Sequence, residues 1–456
     1  MRITEYIYGF INEKRRIPKV GFVGIGNSNI ALLRELGNMK VSLRSEAAIT
    51  ADLPRARREY DVREGSGYLG GIYEDILFLS PSVRRDKPEL LAAERSGVRL
   101  CSDAELFFKN NSSKIYAVTG SDGKSTTSTL AAMLLKEGCA DAEAIGNIGV
   151  PFALASSECA VAELSSFQLS YLLPRVKGAL ITGITPNHLN WHTSIDEYIA
   201  AKLNVFAHAE RTVISPDTKY AAGIAASGRH SAVYSVLYSQ GELRATYPAD
   251  EYFYLDGGYI MKDGVRILNT ALCNRRERYN LHNLMGATAL LWGKFSAEQL
   301  TRVAGSFSGL EHRCEKFLSV GGVDFINSSI DTSPARTRAT LDALRCPVRI
   351  IIGGRGKGLS IEECIPTLTK YASRISLYGE AGEEYLPALQ GAGLTRSVEC
   401  ELFARFDDAL EHACRGARWG DTVLLSPMAT GYGEFASFAE RGAHFKEYVK
   451  KKYLRT

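Results

Sequence analysis

The sequence predicts an α/β protein built on mostly parallel sheets, with three domains in succession. Short apolar runs alternate with helix-like segments, which is the pattern of βαβ units. Glycine-containing turns separate a strand from a helix in two of these units. The length of 456 residues exceeds what one hydrophobic core usually serves. We expect a Rossmann-like domain at residues 1–110, a central phosphate-loop domain at 111–308 and a second Rossmann-like domain at 309–456.

The bulk composition indicates a soluble globular protein. Apolar residues make up 45% of the chain and charged residues 23%, and the net charge of +4 does not predict nucleic-acid binding. The nine cysteines are dispersed without a C-x-x-C pair, which is typical of reduced thiols in the cytoplasm. The sequence shows neither a signal peptide nor a run of roughly 18 apolar residues that could span a membrane. We therefore expect a cytoplasmic protein.

The first domain is predicted from three buried strands, within residues 19–26, 40–45 and 75–82. The first strand ends in a glycine turn at Gly24 and Gly26, and a helical segment follows it. Such a turn can hold a nucleotide or nucleotide-sugar phosphate on backbone N–H groups. It can equally be a tight structural turn, because the third glycine of the dinucleotide fingerprint is absent.

The central domain begins with the strand KIYAVTG, the turn SDG and a helix that starts at Lys124. Strand, glycine turn and Lys-Ser opening a helix form the setting of a phosphate loop. The usual G-x-x-x-x-G-K-[ST] spacing is not met, because Val118 stands where the first glycine belongs. The alternative is a capped helix with an incidental lysine. The candidate phosphate-binding residues are Gly120, Ser121, Asp122, Gly123, Lys124, Ser125 and Thr126.

Three charged or imidazole side chains follow in this domain. Glu163 ends the buried strand AVAE, where it is either a metal ligand or a solvated strand end. His188 lies in a loop after the next strand, where it is either a catalytic or metal-binding residue or a structural histidine, and the nearby His192 shows the same ambiguity. Lys202 lies on the apolar face of a helix that Ser194 can cap. From the residues alone, Lys202 is read as a lysine that extends from an apolar face to solvent.

The third domain is predicted from apolar strands within residues 323–329, 348–354 and 421–427, each ending in small or turn-forming residues.

Eight motifs together resemble the Mur ligase family, in the order that the family has them. They are TGSDGKSTT, GNIGVPF, ELSSFQL, TPNHLNWH with AAKLNVF, YNLHN, GLEHR, GGRGKG and SPxxxxxxxFxxFxxRG. The resemblance covers nearly the whole chain and extends to SPSVRRDKPELLAAERSGVRLCSDAELFF in the first domain. The family's own phosphate loop has the short spacing T-G-[TS]-[ND]-G-K-[ST]. The motifs are most similar to those of the members that add D-glutamate.

The resemblance implies a three-domain ligase that joins D-glutamate to UDP-N-acetylmuramoyl-L-alanine with ATP as cosubstrate, and it implies a monomer. Lys124 would hold the β- and γ-phosphates, and Ser125 and Glu163 would ligate Mg²⁺. His188 would ligate a second Mg²⁺, and Lys202 would be carbamylated, which reverses the first interpretation of that lysine.

The remaining site residues are also assigned by resemblance. Asn280, Asn283 and Arg313 would contact the nucleotide. The UDP-linked substrate would be bound by Gly24, Gly26, Arg44, Ser45 and Asn147. The acceptor amino acid would be bound by Thr332, Lys357 and Phe438.

The sequence departs from the family pattern near the acceptor site. Ser328 replaces an aspartate, and an acid appears three residues later at Asp331. Gly431 lacks a hydroxyl and Gly433 lacks an acid, although Thr430 offers a hydroxyl one residue earlier. These changes leave two alternatives: a ligase for another acidic acceptor such as L-glutamate, or a non-catalytic nucleotide-binding homologue.

Overall fold

The computed structural model describes residues 2–49, 53–109, 114–356, 358–431, 433–435 and 437–454, without the side chain of Asn27. The chain divides into two compact units, residues 1–307 and 308–456. The expected boundary at 308/309 lies one residue from this division. The expected boundary at 110/111 stays a prediction, although the first unit contains two large separate sheets.

Among the described residues up to 109, five parallel strands form one sheet in the order β3-β2-β1-β4-β5. The strands are β1 Val20–Val23, β2 Val41–Ser45, β3 Asp61–Glu64, β4 Ile76–Leu79 and β5 Arg99–Cys101. The helices are α1 Ile3–Lys14, α2 Asn27–Glu35, α3 Pro88–Arg95 and α4 Asp103–Lys109. The strand order reverses between β1 and β4, and ligands of such sheets bind at the carboxyl ends of strands at that point.

The second sheet of the first unit has nine strands among the described residues 114–307, in the order β16-β15-β14-β13-β12-β10-β6-β8-β7. Its strands are β6 Lys114–Thr119, β7 Glu143–Gly146, β8 Cys159–Glu163, β10 Gly178–Ile181, β12 Thr212–Ile214, β13 His230–Ser235, β14 Ala249–Asp256, β15 Tyr259–Lys262 and β16 Val265–Asn269. A small two-stranded sheet pairs β9 Arg175–Val176 with β11 His208–Ala209. The pairs are parallel except where β15 meets β14 and β16.

Helices cover this sheet and connect its strands. They are α5 Lys124–Lys136, α6 Ser166–Leu169, α7 Ile195–Leu203, α8 Lys219–Ser227, α9 Gln240–Thr246, α10 Arg278–Leu290 and α11 Ala297–Ser306. The Ser194 hydroxyl accepts a hydrogen bond from the Glu197 N–H at the start of α7, so the predicted cap is confirmed. The sheet order places the ends of β6, β8 and β10 side by side.

The second unit contains a six-stranded sheet among its described residues, in the order β17-β18-β22-β19-β20-β21. The strands are β17 Glu315–Val320, β18 Val323–Asn327, β19 Val348–Gly353, β20 Ala372–Tyr378, β21 Glu399–Phe403 and β22 Thr422–Leu425. The helices are α12 Pro334–Leu344, α13 Ile365–Tyr371, α14 Gly379–Gly391, α15 Leu394–Ser397, α16 Phe406–Cys414 and α17 Phe438–Tyr453. All neighbours are parallel except β17 and β18.

The α/β class and the parallel sheets are confirmed. Each strand that the apolar runs predicted is present, including those that precede the glycine turns. Within the described part of the chain, no helix has the length and apolar character needed to cross a membrane.

Candidate active site

The turn between β6 and α5 has the backbone of a phosphate loop. Gly120 and Gly123 have φ values of +146° and +78°, which favour glycine. A Cβ on Gly120 would lie 1.9 Å from Thr182 Oγ1, and one on Gly123 would lie 2.4 Å from Asn283 Oδ1. Neither glycine can therefore carry a side chain without displacing its neighbours. The short spacing between the glycines therefore corresponds to a tightly packed loop, which places the start of α5 at the end of the sheet.

Two lysines approach this turn. Lys124 Nζ donates to the carbonyl oxygens of Gly120 and Ser121, over 2.9 and 2.8 Å. Lys202 Nζ, from α7, donates to the same Gly120 oxygen over 2.7 Å. The loop carbonyls thus gather two cationic side chains next to the N–H groups at the start of α5. This concentration of positive charge suits a polyphosphate.

Lys202 is 2% exposed, and its ammonium lies 4.5 Å from the centre of the Tyr198 ring. Burial lowers the pKa of Lys202 well below its usual value, and the positive charge of Lys124 lowers it further. The carboxylates of Asp122 and Glu163 oppose this shift. The first interpretation, a lysine reaching out to solvent, is therefore wrong, because the amine points into the protein.

Glu163 lies at the end of β8, where it is paired in register with Val118 of β6. It is 4% exposed, so the alternative of a solvated strand end is also wrong. The N–H of Leu164 donates to the Val118 carbonyl over 3.0 Å, which holds this strand end beside the phosphate loop. The Asn147 N–H donates to the Glu163 carbonyl over 3.2 Å, and the Asn147 side chain is exposed there.

The structure separates the two histidines of the TPNHLNWH segment. His192 is buried, its Nε2 lies 2.9 Å from Ser166 Oγ, and burial lowers its pKa. His188 is exposed in the loop, with φ of +55° and its ring 5.1 Å from that of Phe167. Of the two, His188 is the one exposed to solvent, and its role as a metal ligand stays a prediction.

Ser121, a predicted phosphate contact, makes several hydrogen bonds inside the protein. Its N–H donates to the Gly183 carbonyl over 2.8 Å. Its hydroxyl donates to the Thr185 carbonyl, accepts from the Thr185 N–H and lies 2.8 Å from the Tyr198 hydroxyl. Both donors of Ser121 are therefore used inside the protein. Ser121 thus anchors the loop to its neighbours, and its contact with a phosphate stays a prediction.

The exposed Asp122 carboxylate lies 3.5 Å from the Thr185 hydroxyl. The same residue's carbonyl accepts from Thr182 Oγ1 over 2.5 Å. The Asp122 side chain therefore has a long contact with Thr185, and its role at the phosphates stays a prediction.

The predicted nucleotide residues of α10 occupy different surroundings. The Asn283 amide packs on Gly123 and accepts from Thr127 Oγ1 over 3.3 Å, so it lies at the phosphate loop. Asn280 Nδ2 donates to Glu277 Oε2 over 2.9 Å. Asn283 is thus the one that the structure brings to the loop.

The turn after β1 meets the end of β4. Gly24 has φ of +73°, and a Cβ there would lie 2.9 Å from the Cβ of Ser80. Gly26 is the N-terminal cap of α2. This turn lies where the strand order reverses, which is where a ligand phosphate is expected. Ser45, also predicted to bind this substrate, is half-buried at the end of β2.

Arg44, predicted to contact the diphosphate, has its guanidinium inside the protein in this structure, and its ligand contact stays a prediction. The side chains of Arg44 and Glu74 are both fully buried, and they form a double ion pair of 2.7 and 3.0 Å. The remaining N–H groups of Arg44 donate to the backbone carbonyls of Tyr68, Gly70 and Gly71. All five guanidinium donors are used internally. Burial works to raise the Glu74 pKa, but the hydrogen bonds from Arg44 and its neighbours hold it below its usual value.

The sequence reasoning overlooked two polar residues beside the Gly24 turn. Ser80 and Gln168 line a small cleft together with Arg85 and Tyr171. Ser80 and Gln168 belong to the segments SPSVRRDKPELLAAERSGVRLCSDAELFF and ELSSFQL, which carry the family resemblance, but the sequence pattern assigns neither side chain a role. A serine hydroxyl and an amide at the switch point suit a sugar or phosphate ligand.

In the second unit, a cavity of about 310 Å³ opens at the carboxyl ends of β19, β20 and β21. It is lined by Gly354, Arg355, Tyr378, Gly379, Glu380, Ala404, Gly431, Gly433 and Glu434. The Glu380 carboxylate accepts from the Gly356 N–H, and the Glu434 carboxylate accepts from the Phe406 N–H. Within the described part of the chain, the Arg355 guanidinium has neither an ion pair nor a hydrogen bond, so it offers its charge to the cavity.

The substituted residues after β18 have structural roles. Ser328 is fully buried, and its hydroxyl accepts from the Cys314 N–H over 3.0 Å. The Asp331 carboxylate is buried and accepts from the hydroxyls of Ser426 and Thr340, over 2.8 and 2.7 Å. Asp331 therefore tethers β22 and does not offer a replacement carboxylate to a ligand.

The small residues after β22 are also explained by packing. A Cβ on Gly431 would lie 2.7 Å from the carbonyl oxygen of Ser437, so a serine does not fit there. The Thr430 hydroxyl donates to the Arg355 carbonyl over 3.3 Å, and the Arg355 N–H donates back to the Thr430 carbonyl over 3.1 Å. Thr430 thus joins two loops at the cavity rim.

The other predicted residues of the second unit occupy varied positions. Arg313 is exposed, Thr332 is half-buried, and Phe438, 37% exposed, begins α17. Lys357 lies outside the described residues.

Comparison with known proteins gives the class of this chain. Residues 118–291 match the Mur ligase middle domain. The UDP-N-acetylmuramoylalanine–D-glutamate ligase of Acetivibrio thermocellus is 31% identical, over 96% of this chain and 97% of that protein. The protein of the same name from Ruminiclostridium cellulolyticum is 32% identical, over 94% and 96%. Among solved structures, the UDP-N-acetylmuramate-alanine ligase MurC of Thermotoga maritima has a TM-score of 0.58 at 16% identity, covering 95% of this chain and 100% of that one.

The chain therefore belongs to the Mur ligase family. Within that family it groups with the D-glutamate ligase type, to which these clostridial relatives belong.

Proposed function

We propose that this protein joins D-glutamate to the carboxylate of UDP-N-acetylmuramoyl-L-alanine in peptidoglycan precursor synthesis, with ATP converted to ADP and phosphate. Relatives with this name align over nearly the whole chain. The observation that carries the proposal is the meeting of Lys124 and Lys202 at the Gly120 carbonyl, with Glu163 on the neighbouring strand.

The reaction proceeds in two steps. A carboxylate oxygen of the UDP substrate attacks the γ-phosphorus, ADP leaves, and an acyl phosphate forms. The amine of D-glutamate then attacks the acyl carbon, loses a proton and expels inorganic phosphate. Several anions must approach each other, so the protein's main task is charge neutralisation and alignment. Lys124 and the first N–H groups of α5 carry out this task at the phosphates.

The residues present fit Mg²⁺. Ser125 and Glu163 offer a hydroxyl and a carboxylate, which are the hard oxygen donors that this ion prefers. Ser125 lies in the first turn of α5, and Glu163 ends β8 beside the phosphate loop. His188 is proposed to hold a second ion from the exposed loop. When bound, Mg²⁺ supplies charge neutralisation at the phosphates. The negative charges of Asp122 and Glu163 both act to raise the pKa of Lys202, so these three side chains interact electrostatically at this site.

Lys202 is proposed to be carbamylated. Because burial lowers its pKa, more of the amine is uncharged and able to attack CO₂. A bond forms between Nζ and the carbon of CO₂, and the nitrogen loses a proton. The resulting anion lies near the Lys124 ammonium and offers oxygen ligands to a cation.

Acceptor binding is assigned to the second unit. We propose that Arg355 holds an acceptor carboxylate in the cavity after β19, since its charge has no internal partner within the described chain and both glutamates there are engaged with backbone N–H groups. This contact compensates for the hydroxyl missing at Gly431. Thr332, Phe438 and Lys357 remain the other proposed acceptor contacts.

An acceptor panel tests the function. ADP release is measured with ATP, Mg²⁺ and UDP-N-acetylmuramoyl-L-alanine, and with D-glutamate, L-glutamate, D-aspartate or D-glutamine. D-Glutamate is expected to give the largest stimulation. A larger stimulation by L-glutamate would establish a different acidic acceptor, and no stimulation by any amino acid would favour the non-catalytic alternative. We further propose that the chain acts in the cytoplasm and as a monomer. Light scattering at the working concentration measures the molecular mass and so tests the monomer.

A further inference from the structure

Arg84 and Trp191 join two loops of the first unit. Arg84 Nη1 donates to the Trp191 carbonyl over 2.5 Å, and its guanidinium carbon lies 4.9 Å from the centre of the indole ring. In return, Trp191 Nε1 donates to the Ser82 carbonyl over 2.8 Å. Loops 80–86 and 187–192 are therefore held by a hydrogen bond in each direction and a cation–π contact.

Acidic groups fix the Arg84 guanidinium in this orientation. Asp86 Oδ2 accepts from Nη2 over 2.6 Å, and Glu197 Oε1 lies 3.1 Å from Nη1. The Asp86 hydrogen bond raises the pKa of Arg84, although partial burial acts in the opposite direction. The Arg84 side chain is only 21% exposed, so packing and charge together determine its position.

Trp191 supports the backbone of His188. The N–H groups of Trp191 and His192 both donate to the His188 carbonyl over 2.9 Å. The Phe167 ring lies 4.5 Å from the Trp191 ring and 5.1 Å from the His188 ring. His188 has φ of +55°, which residues other than glycine rarely adopt. Such a conformation persists only where its surroundings determine it, and Trp191 belongs to those surroundings.

The other loop, residues 80–86, follows β4 and packs at its start against the turn after β1. A Cβ on Gly24 would lie 2.9 Å from Ser80 Cβ and 3.0 Å from Val83 Cγ2. The Val83 N–H donates to the Ser80 carbonyl over 2.9 Å. Loop 80–86 thus touches the Gly24 turn at one end and Trp191 at the other.

We propose that Arg84 and Trp191 form a clamp that positions His188 and links it to the turn that receives the UDP-linked substrate. The inference rests on the metal role proposed above for His188. Arg84 is a positioning residue, because it acts through the Trp191 backbone and ring. Loss of the clamp lets the His188 loop leave its left-handed conformation and weakens cation binding there.

The test compares variants of the full chain by titration with Mn²⁺ alone, with free ion followed by electron paramagnetic resonance. His188→Ala serves as the reference and is expected to lose one class of Mn²⁺ site. Arg84→Ala is expected to weaken the same class about 10-fold, which is the usual effect of removing a residue that orients a metal ligand. Arg244→Ala is the matched control, because Arg244 also has an ion pair and a cation–π contact, with Asp263 and Tyr252.

A second variant guards against general destabilisation. Trp191→Phe keeps an aromatic ring against Phe167 but removes the N–H that donates to Ser82. It is expected to weaken the same Mn²⁺ class about threefold to tenfold while retaining the wild-type melting temperature within a few degrees.

The proposal is overturned if Arg84→Ala and Trp191→Phe both bind Mn²⁺ as wild type does, or if Arg244→Ala weakens binding equally. It is also overturned if His188→Ala leaves Mn²⁺ binding intact, since the clamp would then position no ligand. The proposed ligase function is judged separately by ADP release. If no acceptor stimulates ADP release, that function fails while the Mn²⁺ comparison still decides whether the clamp exists.

Discussion

Lys124 and Lys202 donate hydrogen bonds to one shared acceptor, the carbonyl oxygen of Gly120, over 2.9 and 2.7 Å. Two ammonium groups at one oxygen repel each other, and this repulsion adds to burial in lowering the pKa of Lys202. A polyphosphate drawing Lys124 away would reduce the repulsion. Carbamylation of Lys202 would replace its positive charge by a negative one, so the two side chains would then attract each other. This pair is therefore central to the proposed catalysis.

Lys202→Met is expected to lower kcat for ADP release by about 100-fold or more, because it removes the only amine proposed to carry the carbamate. Bicarbonate is expected to restore part of the activity that wild-type protein loses on dialysis at low pH. Lys219→Met, which removes an ammonium over the Tyr220 ring, is the control. Wild-type activity in Lys202→Met would contradict the carbamate assignment.

Gly123→Ala is expected to abolish ATP-dependent turnover, since the added Cβ would meet Asn283 Oδ1 at 2.4 Å and φ is +78°. Gly223→Ala in α8 is the matched control. The added Cβ would contact no atom within 4 Å, so this substitution should raise the free energy of unfolding by about 0.5–1 kcal/mol. Urea unfolding and ATP-binding calorimetry measure the two effects. Normal ATP affinity in Gly123→Ala would show that the loop does not hold the nucleotide.

Arg355→Ala is expected to raise the KM for D-glutamate about 10-fold to 100-fold, as loss of a charge-assisted hydrogen bond predicts. The KM for ATP should change less than about twofold, because the substitution leaves the phosphate loop untouched. Arg396→Ala, at an exposed position of α15 outside the cavity lining, is the control. Initial rates of ADP release provide the comparison, and an unchanged KM for D-glutamate would remove Arg355 from the acceptor site.

Part of this site was predictable from the sequence. The strand, turn and helix around Lys124 follow from local patterns of apolar residues and glycine, and these elements are present as predicted. The role of Arg44 was not predictable, because its partner Glu74 lies 30 positions away and on no motif. The internal contacts of Ser121 were not predictable for a similar reason, since Gly183 and Thr185, which accept from its donors, follow the end of another strand.

Asp75→Asn is expected to lower the free energy of unfolding by about 1 kcal/mol at pH 7, a value that allows for the exposure of its partner Arg16. The Arg16 hydrogen bond, opposed by burial and helped by the Lys19 N–H, holds the pKa of Asp75 below its usual value. The folded pKa is therefore lower than the unfolded value of about 3.9, so this contribution is complete above that pH. It is lost as the pH falls through the folded pKa.

Urea unfolding of wild type and Asp75→Asn between pH 7 and pH 2.5 measures this difference. The two curves should approach each other as the pH falls through the folded pKa of Asp75, because the wild-type carboxylate then becomes protonated as well. Asp256→Asn, at an exposed strand end, is the control. A difference that stays constant to pH 2.5 would contradict the proposed ion pair.

The central claim is that the substrate carboxylate attacks ATP to form an acyl phosphate. The most direct measurement uses UDP-N-acetylmuramoyl-L-alanine with ¹⁸O in its carboxylate, together with ATP, Mg²⁺ and D-glutamate, and mass spectrometry of the phosphate released. The account predicts one ¹⁸O atom in each inorganic phosphate, because the oxygen that attacks phosphorus leaves with it. Phosphate that carries only ¹⁶O would mean that water attacks ATP, and would contradict the account.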